Sequence, residues 1–422
     1  MRAIKRREFL SGAALAAGSV LLTSKIAFAG SDTRPRFVFI ILRGALDGLT
    51  AVPPYADPDY ARLRGEVAIA APGAPGGALK LDGLFGLHPS LAFLNESFTA
   101  QELIVFHAMA SPYRERSHFD GQDVLENGCA RAHALQTGWI NRALAALPPD
   151  RNARRGELGI ALGQNVPLVM RGAAPVASWS PSHLAALDED TLQRIADLYS
   201  TDPILSQRLA DALTTQSVAD AAQGEAMAAD AQEIPPAQLL ASRAQPKARG
   251  GAPYKEVIHA TASFLKSDDG PRVAVFDAMG WDTHANEGGA QGQLAARLAG
   301  LDTGLRTLKE DLGPVWRDTV VMIATEFGRT AAVNGTRGTD HGTAAAAFLL
   351  GGAVHGGRVI ADWPGLSQRA LYQGRDLAPT TNMHAALKAV LADHLAVATR
   401  ALDTSVFPDS VAVKPLQGLL RA

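Results

Sequence analysis

The sequence predicts an α/β fold, a largely parallel central sheet with helices on both faces and a helical insertion. Three observations predict it. Seven short runs, "RFVFIIL" (36–42), "ELIVFHA" (102–108), "LGIALG" (158–163), "VPLVMRG" (166–172), "RVAVFDA" (272–278), "TVVMIAT" (319–325) and "AAAFLLGG" (345–352), are apolar on both faces, as strands covered from two sides must be. Segments of helical periodicity alternate with these runs. The unusual polar residues cluster just after the runs, at the carboxyl strand ends where doubly wound sheets collect ligands.

The chain begins with "KRREFLSGAALAAGSVLLTSKIAFAG": paired Arg6 and Arg7, then Phe9 and Leu10, a mildly apolar stretch, and "AFA" before Gly30. This reads as a twin-arginine export signal over residues 1–29. It implies the twin-arginine export machinery as a partner and a periplasmic or secreted destination. Its apolar stretch is about half of the ~20 residues a bilayer crossing needs. Removing residues 1–29 takes away Arg2, Lys5, Arg6, Arg7, Lys25 and Glu8, which leaves 35 basic and 41 acidic side chains, a net charge of minus six. No basic stripe offers a nucleic-acid footprint, and no later segment reads as a transmembrane anchor. Cys129 is the only cysteine, so no disulfide forms within the chain.

Residues 30–422 read as one large domain. The helical patterns are "SLAFLNESFTA" (90–100), "FDGQDVLEN" (119–127), "GWINRALAAL" (138–147), "YKEVIHATASFLK" (254–266), "GQLAARLAGLDTGLRTLKEDL" (292–312) and "NMHAALKAVLADHL" (382–395). Residues 183–250, rich in Ala, Gln, Leu and Asp, carry hardly any strand signal and read as a helical insertion or cap.

The polar residues follow the strands in order. After "FVFIIL" come Arg43 and Asp47; after "LIVFHAMA" come Arg116, Ser117, His118 and Asp120; after "VAVFDAMG" come Asp282 and His284; after "VVMIA" come Glu326 and Arg329. Asp340 and His341 close the set between glycines in "GTRGTDHGTA" (335–344). Each has a structural reading as well: Asp47 as a turn residue, Ser117 as an N-cap, Asp282 and His284 as loop residues, Glu326 and Arg329 as a solvated ion pair. Their recurrence at one sheet edge favours a site. Carboxylate and neutral imidazole are ligands for divalent cations. A divalent cation beside a serine hydroxyl makes it a competent nucleophile. Guanidinium groups, here Arg43, Arg116 and Arg329, match phosphate or sulfate oxygens.

Taken together, "RGALDGL", "VPPYADPDY", "GLHPSL", "SHFDGQD", "TGWINRAL", "GWDTHANEGG", "ATEFGRT" and "GTDHG" give a chain that resembles the exported domain-of-unknown-function 1501 family, which looks like a branch of the alkaline phosphatase-like (sulfatase-like) superfamily. The resemblance implies one or two divalent ions (zinc, manganese, calcium or magnesium) around a serine or threonine nucleophile, and a small anionic ester as substrate. It assigns Asp47, Asp282, His284, Glu326 and His341 to metal and Ser117 to the nucleophile. One ion would lie with Asp47 and Glu326, the other with Asp282, His284 and His341. His118 reads as a base or a ligand, and Thr283 as an alternative nucleophile. One departure stands out: much of the superfamily has an Asp-His pair where this chain has Glu326-Phe327. Phe327 cannot bind metal, and Asp340 is the residue that could compensate. The implied function is an exported metal-dependent hydrolase of phosphate or sulfate esters, with a non-catalytic binding or surface-assembly protein on the same fold as the second reading.

Overall fold

Arg36–Arg43 forms a strand whose first seven residues are all buried, and alternate side chains feed two different cores. Phe37, Phe39 and Ile41 pack into one, and Val38, Ile40 and Leu42 into the other, so the strand lies inside a three-layer sandwich. The protein is described by a computed structural model over residues 34–147, 158–181, 252–268 and 270–421, with a few positions between 199 and 209. The expected export signal and nearly all of the expected insertion lie outside the described residues.

In chain order the strands are β1 (Arg36–Arg43), β2 (Leu79–Lys80), β3 (Gly86–Leu87), β4 (Leu103–Ala110), β5 (Gly159–Leu162), β6 (Val176–Trp179), β7 (Val273–Met279), β8 (Thr319–Thr325), β9 (Ala345–Leu350), β10 (Arg358–Ile360) and β11 (Thr381–Asn382). The helices used below are α1 (Gly48–Ala51), α2 (Tyr60–Arg64), α3 (Ala92–Thr99), α4 (His118–Asn127), α5 (Trp139–Ala145), α6 (Ala252–Lys266), α7 (Gln293–Leu312) and α8 (Met383–Asp393). Nine strands form one sheet in the order β10-β4-β9-β8-β1-β7-β5-β6, with β11 beside β4. All neighbours run parallel except β9, which is antiparallel to β4 and β8. Helices α6 and α7 cover one face, and α5 and α8 the other. The fold is α/β with a mostly parallel sheet.

The antiparallel β9 matters for the site. Since β8 ends where β9 begins, the 326–344 connection stays on the carboxyl edge of the parallel strands. Asp340 and His341 are therefore delivered to the same edge as the loops after β1, β4 and β7.

One expected strand is corrected. In 166–172, Leu168–Met170 is a short 3₁₀ turn, because side chains claim its backbone: Val169 N donates to Glu126 Oε2 at 3.0 Å and Asn141 Nδ2 donates to Met170 O at 2.9 Å. Val169 and Met170 are still fully buried, so the apolar signal was real but the conformation was not a strand. The edge strand at that side is β6, which is only partly buried.

Candidate metal centre

Helix α4 starts at the site. Ser117 is its N-cap residue, yet its hydroxyl makes no capping hydrogen bond; Ser117 N donates to the Tyr113 hydroxyl at 2.9 Å. The first helical residue, His118, points its ring between two carboxylates. Its Nδ1 lies 2.8 Å from Glu326 Oε1 and its Nε2 3.5 Å from Asp282 Oδ1. Phe327 stacks on the same ring with centroids 5.0 Å apart.

The loop after β7 brings Asp282 and His284, and the loop before β9 brings Asp340 and His341. These loops pack backbone to backbone, which explains the bare glycines around "TDH". A Cβ on Gly338 would lie 2.3 Å from His284 C, and one on Gly342 2.4 Å from Arg329 C. Only glycine leaves room there.

Three donor residues, His118, Asp282 and His341, meet as a result, with His284 beside two of them. Asp282 Oδ1 lies 3.0 Å from His284 Nε2 and 3.3 Å from His341 Nε2, and the two imidazole nitrogens are 2.9 Å apart. His118, Asp282 and His341 offer ligand atoms all within 4.8 Å of one another. For comparison, a tetrahedral zinc site with bonds of about 2.0–2.1 Å has ligand–ligand edges of about 3.3 Å.

Hydrogen-bond partners decide which nitrogens carry protons. His341 Nδ1 donates to the Arg116 carbonyl at 3.0 Å, so its neutral ring has a bare Nε2. His118 Nδ1 donates to Glu326, and its buried Nε2 has no hydrogen-bond partner. His284 Nδ1 sits 3.4 Å from Asp340 Oδ1, which Asn334 Nδ2 also holds at 3.0 Å. Lone pairs on His118 Nε2, His341 Nε2 and Asp282 Oδ1 thus face one another. Arg329 Nη1 also donates to Asp282 Oδ1 at 2.8 Å; the lone pairs together fit a cation, and outer carboxylates or carbonyls on each imidazole are how metal-binding histidines are oriented. The residues present fit a divalent ion.

Electrostatics agree. Burial pushes the Asp282 carboxyl up, but Arg329, with Nη1 at 2.8 Å, and the three imidazoles outweigh it and hold Asp282 below its ordinary range. The Glu326 hydrogen bond raises His118 above the usual imidazole value, against its partial burial. Burial, then the neighbouring His118, lowers His341. The Asn334 hydrogen bond lowers Asp340.

Several sequence-based roles change. Asp47 has partners of its own. It caps α1, with Oδ1 accepting from Leu49 N at 3.0 Å and Thr50 N at 3.1 Å while Oδ2 accepts from Arg64. Its oxygens are filled, and it is a buried counter-ion. Glu326 is likewise held by protein donors: Oε1 accepts from His118, Gly44 N (2.9 Å) and Gln122 (3.2 Å), and Oε2 from Thr325 Oγ1 (2.9 Å). It orients His118. Asp340 stands behind His284 in the same way. Arg43 is spent on carboxylates, with Nη1 2.8 Å from Glu126 and Nε 2.8 Å from Asp277, and Arg116 pairs with Asp376 at 2.7 Å. Arg329 alone of the three keeps Nε and Nη2 without partners. Thr283 is buried and donates to Glu287 Oε2 at 3.1 Å, which removes it as an accessible nucleophile.

Sequence reasoning missed Glu287 and Arg64. Both are fully buried, with Arg64 Nη2 3.6 Å from Glu287 Oε1. Burial and the nearby Asp47 raise Glu287 to about 8. Glu287 stands within the "WDTHANEGG" segment, but nothing local marks it as buried.

No curated protein matches the chain. Among solved structures, it is similar to the C-terminal periplasmic domain of EcEptC from Escherichia coli in complex with Zn (9% identity, 75% of this chain and 73% of that one, TM-score 0.34). It is also similar to the lipoteichoic acid synthase LtaP from Listeria monocytogenes (10% identity, 80% and 68%, TM-score 0.35) and the phosphonate monoester hydrolase of Agrobacterium radiobacter (11% identity, 80% and 74%, TM-score 0.34). The model of the family described as "Protein of unknown function (DUF1501)" matches residues 97–406, and the chain belongs to that family.

Proposed function

We propose that this protein is an exported, metal-dependent hydrolase of phosphate or sulfate esters, working with one ion and with Ser117 as nucleophile. The observation that carries the reading is the His118, Asp282, His284 and His341 donor set, with matched partners behind each imidazole and an uncapped serine hydroxyl next to His118. Nitrogen-rich N/O donors favour zinc over calcium or magnesium, which take oxygen ligands. Bound there, a divalent ion would supply positive charge that stabilises the serine alkoxide and the ester oxygens.

The remaining work falls to the chain. Arg116 and His118 flank Ser117, one holding His341 through its carbonyl and the other facing Asp282, so the Ser117 backbone is held beside the donor set. Arg329 is fully buried and holds Asp282 at 2.8 Å; its charge, rather than an exposed donor, would favour an anionic oxygen bound beside Asp282. The first N–H groups of α4 add dipole to the same region. The reading of a single ion is supported by the commitments of Asp47 to Arg64 and of Glu326 to His118, and by the apolar Phe327 against His118.

The second reading, a metal-binding protein without turnover, is favoured by one observation: of the three arginines named from the sequence, Arg43 and Arg116 are neutralised by carboxylates and Arg329 is fully buried against Asp282. Zinc-loaded protein assayed with aryl phosphate and aryl sulfate esters separates the two. Turnover that Arg329→Ala reduces at full metal content supports the hydrolase; stoichiometric metal with no turnover of either ester supports the second reading.

A further inference from the structure

Glu287 is enclosed by four polar side chains on four separate segments. Its Oε1 accepts from Thr50 Oγ1 at 3.2 Å and faces Arg64, and its Oε2 accepts from Thr283 Oγ1 at 3.1 Å and Thr339 Oγ1 at 2.8 Å. All five residues are at most 2% exposed. Thr283 sits between Asp282 and His284, and Thr339 directly precedes Asp340 and His341. One carboxyl oxygen therefore ties the two donor loops together at the residues next to the donors. The loops also share backbone bonds: Thr339 N donates to Thr283 O at 3.2 Å, and Glu287 N to Arg337 O at 2.9 Å. Through Arg64 and Asp47, the tie continues to α1 and α2.

We infer that Glu287 is a positioning residue of the metal centre, setting the spacing of the Asp282/His284 pair against the His341 pair through the hydroxyls of Thr283 and Thr339. The inference rests on the metal reading above. The two loops enter from different strands, β7 and β9, which are not neighbours in the sheet, so strand pairing does not fix their separation. A buried hydrogen-bond network joined at one oxygen does, since leaving any of its members unpaired in the interior is costly.

The test is a zinc titration of metal-free protein by calorimetry, comparing wild type, Glu287→Ala, Glu287→Gln and the double variant Thr283→Val/Thr339→Val, with the melting temperature of each metal-free protein as control. Absence of zinc binding by the wild type would defeat the metal reading and the inference with it, and is distinguishable from any variant effect. With wild-type binding in hand, Glu287→Ala and the double variant are expected to weaken affinity about 10- to 100-fold, as loss of an outer-shell partner does, while Glu287→Gln, which keeps an acceptor oxygen, stays within about threefold. The double variant leaves the Arg64 contact intact and decides the matter if Glu287→Ala does not fold. Affinity within about threefold of wild type in the double variant, whatever its melting temperature, overturns the inference.

Discussion

Replacing Glu326 with Gln tests whether this carboxylate orients a ligand or is one. Glu326 Oε1 accepts from His118, Gly44 and Gln122, and Oε2 lies 2.9 Å from Thr325 Oγ1. Gln preserves the shape: its oxygen still accepts at Oε1 and its amide can donate to the threonine oxygen. What disappears is the charge. A hydrogen bond to a charged group contributes about 1.5–3 kcal/mol against about 0.5–1.5 for a neutral one. The orienting bond to His118 should weaken by about 1.4 kcal/mol, a tenfold rise in the zinc Kd at pH 8. The sign of the pH effect is separate. Glu326 raises His118, so in the metal-free wild type a proton competes for the imidazole from above the ordinary range near 6.5 downwards. In the Gln variant that competition starts at lower pH, and the two affinity curves should converge on acidification. Calorimetric titration at several pH values reads both effects. Loss of all binding would mean that Glu326 is itself a ligand; an unchanged Kd and pH profile would mean that it has no role at the centre.

Further outcomes follow from other parts of the structure. Ser117→Ala should abolish ester turnover while leaving zinc content and fold intact, because its hydroxyl caps nothing; retained turnover would remove the serine mechanism. His107, His384 and His394 are each lowered to about 4, by burial above all, so the unfolded chain takes up protons below pH 6.5 that the folded one refuses. Stability should fall on acidification between about 6.5 and 4 by about 1.4 kcal/mol per pH unit for each such histidine. His384→Phe, read by denaturant unfolding, should therefore lose about 2 kcal/mol less than wild type between pH 7 and 5; equal losses would refute the assignment. Changing both Arg6 and Arg7 to Lys should leave precursor in the cytoplasm, and normal export of that variant would refute the twin-arginine reading.

Much of the sheet was legible because β1, β7 and β8 are apolar on both faces, and only interior strands can be so. Residues 166–172 carried the same signal and failed because Glu126 and Asn141, distant in sequence, take their backbone groups. The site's position was legible for a related reason: Asp282, His284 and His341 follow strands whose carboxyl ends share an edge. The division of labour was not. Glu326, Asp340 and Asp47 are all carboxylates after strands, and whether such an oxygen faces a metal, an imidazole or Arg64 depends on contacts up to 283 residues apart in sequence, such as that of Thr325 with Leu42. The "LDGLT" capping pattern at Asp47 was the one local clue, since Asp before a short helix favours its N–H groups. Glu287 had no local clue, because its partners come from four segments.

The central claim is that His118, Asp282, His284 and His341 hold one divalent ion, and the most direct measurement is the metal content of the full chain purified without chelator and re-equilibrated with zinc. One equivalent per chain is predicted for the wild type and for Ser117→Ala, with Asp282→Ala and His341→Ala both losing it. A wild type that retains no metal, or Asp282→Ala and His341→Ala variants that each retain a full equivalent, would contradict the account.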